Sequence, residues 1–298
     1  MQHHVSKQFK EYLLLIRLPN VFTTPSNILA GYFAAVTVAE ANSGDLVPLM
    51  ISSGLLYVAG IVLNDYFDIE IDKKERPSRP LASGTISKRH ALALAIVALL
   101  IANTMALIVG LTSLAVSLAL TVAIIAYDYR LKYSISGPFA MGITRFLNII
   151  LGASPVLLYV GAISYTIIGA AAASLFLYVV AVTVLSKKEA GNEKPNSTIA
   201  FLMVFGVIAA IIALGLLVQL HWAFLLNLSI FATVMTITFK QHLMTDLPSV
   251  QKAVRNMVIS IIILDSVFIT GTAGPLYGFA TLLLIAPSVA LAKKLYVT

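Results

Sequence analysis

The sequence has no cysteine and a single tryptophan, and only 11% of its 298 residues are charged. The missing cysteines exclude disulfides, thiolate-ligated zinc, iron–sulfur clusters and thiol nucleophiles, so any chemistry must come from oxygen and nitrogen groups. The scarcity of charge excludes a water-soluble domain: with 59% hydrophobic residues and a mean hydropathy of +0.94, the chain carries more apolar surface than one core could bury. Acids are scarcer than bases, 13 against 20, for a net charge of +7. The cations punctuate apolar stretches and do not interleave with aromatics, so the balance points to an anionic membrane face and not to nucleic acid. No short apolar core followed by a small-residue cleavage site stands near the start, so no removable signal peptide is expected.

What is present is apolar length. Stretches at about 21–39, 46–63, 91–109, 111–127, 139–160, 164–185, 199–218, 222–239, 256–272 and 276–292 each approach the roughly 20 residues that a helix needs to cross hydrocarbon. Backbone groups in lipid must pair internally and no alternating barrel pattern is present, so an all-α polytopic membrane helical bundle is expected. Apart from Arg145, which falls inside the fifth stretch, every Lys and Arg lies before the first stretch, after the last, or in alternate loops. With positive residues retained inside, the N-terminus and the charged loops, about 64–90, 127–138, 186–198 and 240–255, are expected to be cytoplasmic, and Lys293 and Lys294 favour an even span count. The chain reads as one integral-membrane domain, 1–298, in the plasma membrane of a prokaryote or in an organelle membrane.

The second stretch runs directly into acid, Asn64-Asp65-Tyr66-Phe67-Asp68-Ile69-Glu70-Ile71-Asp72. Positions 64, 68 and 72 stack on one helix face, and Asp65 stands one heptad before Asp72, so an amide and several carboxylates should point together. Hard oxygen donors in this number suit a magnesium ion that keeps waters and is completed by phosphate oxygens. The plainer reading is a solvated helix end whose acids pair with Lys73, Lys74, Arg76 and Arg79. The arrival of one Asn, three Asp and a basic loop together at a membrane interface favours the metal site.

These residues resemble the first signature of the UbiA superfamily of intramembrane prenyltransferases, NDxxDxxxD, with Asn64, Asp65, Asp68 and Asp72 filling it. The segment from Arg76 through Arg79 to Gly84 is similar to the RPxRPLxSGxI continuation of many members. The resemblance implies a UbiA-type bundle of nine core transmembrane helices, here with an extra C-terminal span. It also implies Mg2+-dependent transfer of an isoprenyl group from an isoprenyl diphosphate to a hydrophobic or aromatic acceptor. Asn64, Asp68 and Asp72 are then metal ligands and Asp68, Asp72 and Lys132 catalytic groups. Asn20, Arg76, Arg79, Tyr127, Lys132 and Arg145 are then contacts to substrate. After the sixth span the family repeats an Asp-rich motif; this chain instead offers Glu189 and Glu193, an i, i+4 pair that is carried as a relaxed second metal site.

Each of these residues also has a structural use. Lys132 suits a snorkelling anchor, Arg145 an interhelical ion pair, Asn20 a helix cap, and Asp265, in the middle of the ninth stretch, a buried pairing. The chemistry that fits the layout is rupture of an allylic carbon–oxygen bond, with the diphosphate neutralised at the charged face and a carbocation sheltered among apolar walls. An aromatic or quinone-precursor acceptor is preferred because the family most often alkylates aromatic rings. A glyceryl ether lipid phosphate is the alternative acceptor, and a transporter or a non-catalytic lipid-binding membrane protein the alternative function.

Overall fold

The computed structural model describes residues 2–36, 42–187, 197–242 and 247–295. These contain α-helices and two single 3-10 turns and no strand. A short entry, α1 (Gln2–Leu15) and α2 (Leu18–Val21), leads into α3 (Thr23–Val36), α4 (Leu46–Phe67), α5 (Ile69–Glu75), α6 (Lys88–Val109), α7 (Leu111–Tyr129) and α8 (Gly137–Ala153). Then come α9 (Ala162–Lys187), α10 (Ser197–Val218), α11 (Phe224–His242), α12 (Leu247–Ile259), α13 (Ile261–Ala273), α14 (Pro275–Leu282) and α15 (Ile285–Leu295).

Among the described residues seven helical segments are long and apolar enough to cross a membrane, counting α12–α13 and α14–α15 as one segment each. The protein is thus an integral-membrane α-helical bundle. Among the described residues three of the ten apolar stretches form helices shorter than expected. α3 has 14 residues, α8 has 17, and the apolar part of α11 is Phe224–Lys240. The fifth stretch stops early because turns from Ser154 onward replace its last helical turns. The tenth breaks between Leu282 and Ile285.

The lipid-facing and protein-facing helices differ as their sequences require. α6 and α10 expose Leu100, Ile108, Leu202 and Leu216, a face suited to acyl chains. The other face of α6 is a row of buried alanines, Ala91, Ala95, Ala98, Ala102 and Ala106, whose small side chains let it lie close against α4. α13 sits at the centre, buried at every residue from Ile261 to Gly271.

A close backbone contact joins α3 to α8. A Cβ added at Gly31 would stand 1.9 Å from the Ile149 carbonyl oxygen, and one at Gly152 would stand 2.3 Å from that of Ile28. Only hydrogen fits between these backbones. The seam brings Asn27, one turn before Gly31, level with Arg145 and Asn148 on α8, as their hydrogen bonds show. Gly152→Leu is expected to cost about 1–3 kcal/mol or more through overpacking, read as a lower thermal midpoint in detergent. Gly169→Ala, inside α9 where an added Cβ meets nothing within 4 Å, is the control and should leave the midpoint unlowered or slightly raised.

Candidate functional site

The acidic segment is not one straight comb. α4 ends at Phe67, and Asp68 leaves helical geometry (φ −87°, ψ 2°) before α5 begins. Hydrogen bonding continues across the junction, Asp68 N to Asn64 O at 3.0 Å and Asp72 N to Asp68 O at 2.8 Å. The acids therefore split into two sets, a correction to the single face expected from spacing. Asp65 and Asp72, seven apart and so near one face, share Arg79, whose Nη1 donates to Asp65 Oδ1 at 3.2 Å and Asp72 Oδ2 at 2.7 Å. Asp68 and the Asn64 backbone carbonyl, four residues apart, meet Lys132, while the Asn64 side-chain amide turns to Asp128.

Arg79 is placed by apolar anchors on the basic loop. Leu81 and Ile86 are both buried and pack with Leu15, Val62 and Leu63. Asp65 also takes Arg17 Nη2 at 2.9 Å. Arg17 holds a left-handed backbone (φ 46°, ψ 52°) ahead of the proline-started α2, a conformation costly for a side chain with a Cβ and here supported by the ion pair. Lys73 pairs with Glu70 on the exposed surface and not with the stripe, and its hydrogen bond and charge hold Glu70 below its ordinary carboxylate range. Arg76 is exposed at the end of α5, away from these pairs.

Lys132 sits in the 3-10 turn between α7 and α8 and is turned inward, 9% exposed. Its Nζ lies 2.7 Å from Asp68 Oδ1 and 3.4 Å from the Asn64 carbonyl. This is an engaged cation and not a snorkelling one. The neighbouring Tyr133 hydroxyl donates to Asp68 as well. Burial first, and then that hydrogen bond, push the Tyr133 phenol above its ordinary range. Asn64 Nδ2 donates to Asp128 Oδ1 at 3.0 Å, which brings in a carboxylate that spacing did not single out. Its place at the end of an apolar stretch is the signal that could have found it.

Behind these groups opens a cavity of about 160 Å³ between α3, α4, α7 and α8. Its mouth carries Arg17, Asn64, Tyr127 and Asp128; its walls include Leu56, Ile61, Leu120, Ile124 and Met141; its inner end holds Ser53, Arg145 and Asn148. Arg145 lies eight residues into α8, about 12 Å along the axis, is buried, and donates to Asn27 Oδ1 at 3.1 Å with its guanidinium 5.6 Å from the Tyr57 ring centre. Asn20, expected at the acidic site or as a cap, does neither. It lies inside α2, outside the cavity lining, and its carbonyl accepts from Thr23. Glu189 and Glu193 lie outside the described residues.

Among the described residues no three His, Cys, Asp or Glu side chains converge as a ready cage for an ion. Asn64 and Asp68 are nonetheless the right donors for Mg2+, which takes one or two carboxylates and completes its shell with water and phosphate oxygens. Asp72, expected in the same set, pairs with Arg79.

Fold and site together define an integral-membrane helical protein with an internal apolar cavity opening at a dense carboxylate–cation mouth. The UbiA prenyltransferase family model matches residues 26–262, and the chain belongs to that family. A digeranylgeranylglyceryl phosphate synthase of Saccharolobus solfataricus is 30% identical over 144 residues, 48% of this chain and 51% of that protein. The chain thus spans about half the length of the curated relatives it matches. The fold is that of a UbiA homolog from Aeropyrum pernix K1 (TM-score 0.68, 16% identity, 84% of this chain and 97% of the other). A UbiA homolog from Archaeoglobus fulgidus bound to GPP and Mg2+ also aligns (TM-score 0.53, 16% identity, 94% and 99%).

Two outcomes are expected at the mouth. Arg79→Met strips Asp72 of its charged hydrogen-bond donor and should cost about 1.5–3 kcal/mol, seen as a lower unfolding midpoint; an unchanged midpoint would show the contact to be idle. Asp68→Asn should return the Tyr133 phenol part of the way to its ordinary range in an ultraviolet pH titration, with Tyr133→Phe as the blank. Because the folded phenol titrates above its unfolded value, its contribution is complete below the unfolded pKa and is lost as pH rises through the folded one.

Proposed function

We propose that this protein transfers an isoprenyl group from an isoprenyl diphosphate to a glyceryl ether lipid phosphate, with Mg2+ as cofactor. The observation that supports the reading is the Asn64–Asp68–Lys132 set, held by a hydrogen bond and an ion pair, whose Asn64 lines a cavity with apolar walls. An amphiphile with a diphosphate head and a hydrocarbon tail matches that layout. The Mg2+ and GPP bound by the Archaeoglobus fulgidus homolog support the cofactor and the donor class. The preference for an aromatic acceptor gives way to the glyceryl ether alternative, because the curated relatives cited make digeranylgeranylglyceryl phosphate. Family membership likewise weighs against the transporter and the non-catalytic readings.

In this reading the chain is one domain, its N-terminus and charged loops cytoplasmic, with the short apolar helices spanning alongside the seven long ones. Asn64 and Asp68 would hold the metal ion, which would supply positive charge for the departing diphosphate. Lys132 and Arg79 add to that charge, Arg76 meets the head from the exposed side, and Tyr127 and Arg145 contact substrate inside the cavity. Asp72 keeps Arg79 in place. Asn20 drops out of the contact set, and Glu189 and Glu193 are carried as a second metal site.

The allylic C1–O bond breaks with its electron pair leaving on the diphosphate, and C1 bonds to the acceptor hydroxyl oxygen, whose proton is released. Leu56, Leu120 and Ile124 keep water from the cationic carbon. The test is product analysis by mass spectrometry with purified protein in lipid discs, Mg2+, several isoprenyl diphosphates, and both glyceryl ether phosphate and aromatic acceptors. Ether-lipid product is expected, abolished by EDTA and reduced about 100-fold or more in Asp68→Ala. Exclusive alkylation of an aromatic acceptor would overturn the acceptor assignment, and no transfer with any acceptor would overturn the function.

A further inference from the structure

Beyond the mouth, a second polar system crosses the centre of the bundle. Asp265, in the middle of α13 and 2% exposed, accepts on one oxygen from Ser26 Oγ and from Asn27 Nδ2, both at 2.6 Å. The other end of the Asn27 amide accepts from Arg145 Nη1 and from Asn148 Nδ2, both at 3.1 Å. Asn148 is fixed in turn by Ser53 Oγ, which donates to its Oδ1 at 2.7 Å. Four helices, α3, α4, α8 and α13, thus meet through side chains at a depth where an ionised group needs compensation.

Arg145 and Asp265 are opposite charges in one low-dielectric region, yet among the described residues they form no direct ion pair. Asn27 stands between them. A direct, two-toothed pair would turn the guanidinium fork onto the carboxylate. With a neutral amide as spacer, the negative charge still compensates Arg145 through space, while only one of its hydrogen bonds is spent on Asn27. The orientation of the amide follows from its neighbours. A carboxylate can only accept from its NH2 end, so the carbonyl end must face the two donors on α8. The Tyr57 ring covers another side of the guanidinium, and what remains faces the cavity.

We infer that Asp265 and Asn27 are positioning residues that keep Arg145 cationic and aimed into the cavity as an inner anion-reading point. The inference rests on the proposed function, in which the cavity takes an isoprenyl diphosphate or another phosphate-bearing substrate. Asp265 touches no substrate. It acts through Asn27 on Arg145, and removing its charge frees the amide to flip and present donors to a donor.

The test is a double-mutant cycle on full-length protein in lipid discs, with geranyl diphosphate and Mg2+ as the probe and the dissociation constant read by calorimetry. Arg145→Met should weaken binding about 10- to 100-fold, and Asp265→Asn about tenfold. The effect of Asp265→Asn should vanish in the Arg145→Met background, yet persist in full beside Asp68→Ala at the mouth. A merely structural Asp265 would weaken binding equally in both backgrounds, and that result overturns the inference. Should Asp265→Asn not be recovered folded, Asn27→Ser, too short to bridge, takes its place with the same expected pattern. Wild-type protein that binds no geranyl diphosphate would instead overturn the proposed function, and the inference with it, so the two failures are distinguishable.

Discussion

A carboxylate within or at the edge of an apolar bundle must be matched by a cation or a hydrogen-bond donor, and the arrangement of this protein follows from meeting that demand five times. Asp65, Asp68, Asp72, Asp128 and Asp265 each find a partner, and in every case at least one partner comes from another element. Arg79 reaches back from the basic loop, Lys132 crosses from the turn before α8, and Arg17 comes from ahead of the first membrane helix. These long-range pairs decide where the loops lie, which in turn decides what surrounds the cavity mouth. The apolar anchors Leu81 and Ile86 serve the same end, since a loop that floated free would leave Asp72 unmatched.

The bundle was legible in the sequence because hydrocarbon imposes a length and a composition, and both survive in a single chain without relatives. The ends of the helices were less legible. The apolar stretch around 139–160 continues well past Ala153, where its helix stops, and hydropathy carries no record of a turn made of apolar residues. At the site, the acidic signature and Lys132 were visible as residue types at an interface, but their pairing was not. Spacing on an ideal helix put Asn64, Asp68 and Asp72 together; the dihedral break at Asp68 and the reach of Arg79 divide them instead. Asn27 had no signal at all, because one amide in an apolar helix means little until the residue facing it is known. Arg17 looked like one more anchoring cation, and only its ion pair with Asp65 shows otherwise.

In the proposed function the two polar systems divide the labour of holding an amphiphile. The mouth concentrates acids, bases and the tyrosines 127 and 133 where a strongly charged head can remain partly hydrated, and the inner network supplies a single compensated cation among apolar walls. Between them lie side chains that exclude water without contributing charge. An arrangement of this kind sets one charged locus at the surface and one well inside, which suits a reaction whose leaving group must return to water while its carbon centre must not meet it.

The link from Asp265 to Ser26 and Asn27 spans 239 and 238 residues of sequence. During synthesis α3 precedes α13 by all the intervening helices, so the amide of Asn27 has no acid to receive it until α13 is made. α13, with a carboxylate at its middle and almost no surface left for lipid, is poorly suited to enter a membrane alone. Its insertion is better understood as docking into a slot that the earlier helices have already formed. Ser288 on α15, which donates to the Pro19 carbonyl at 2.8 Å, adds a second clasp between late and early segments. The later helices α13 and α15 thus tie back, one at the centre and one at the entry, to segments made well before them.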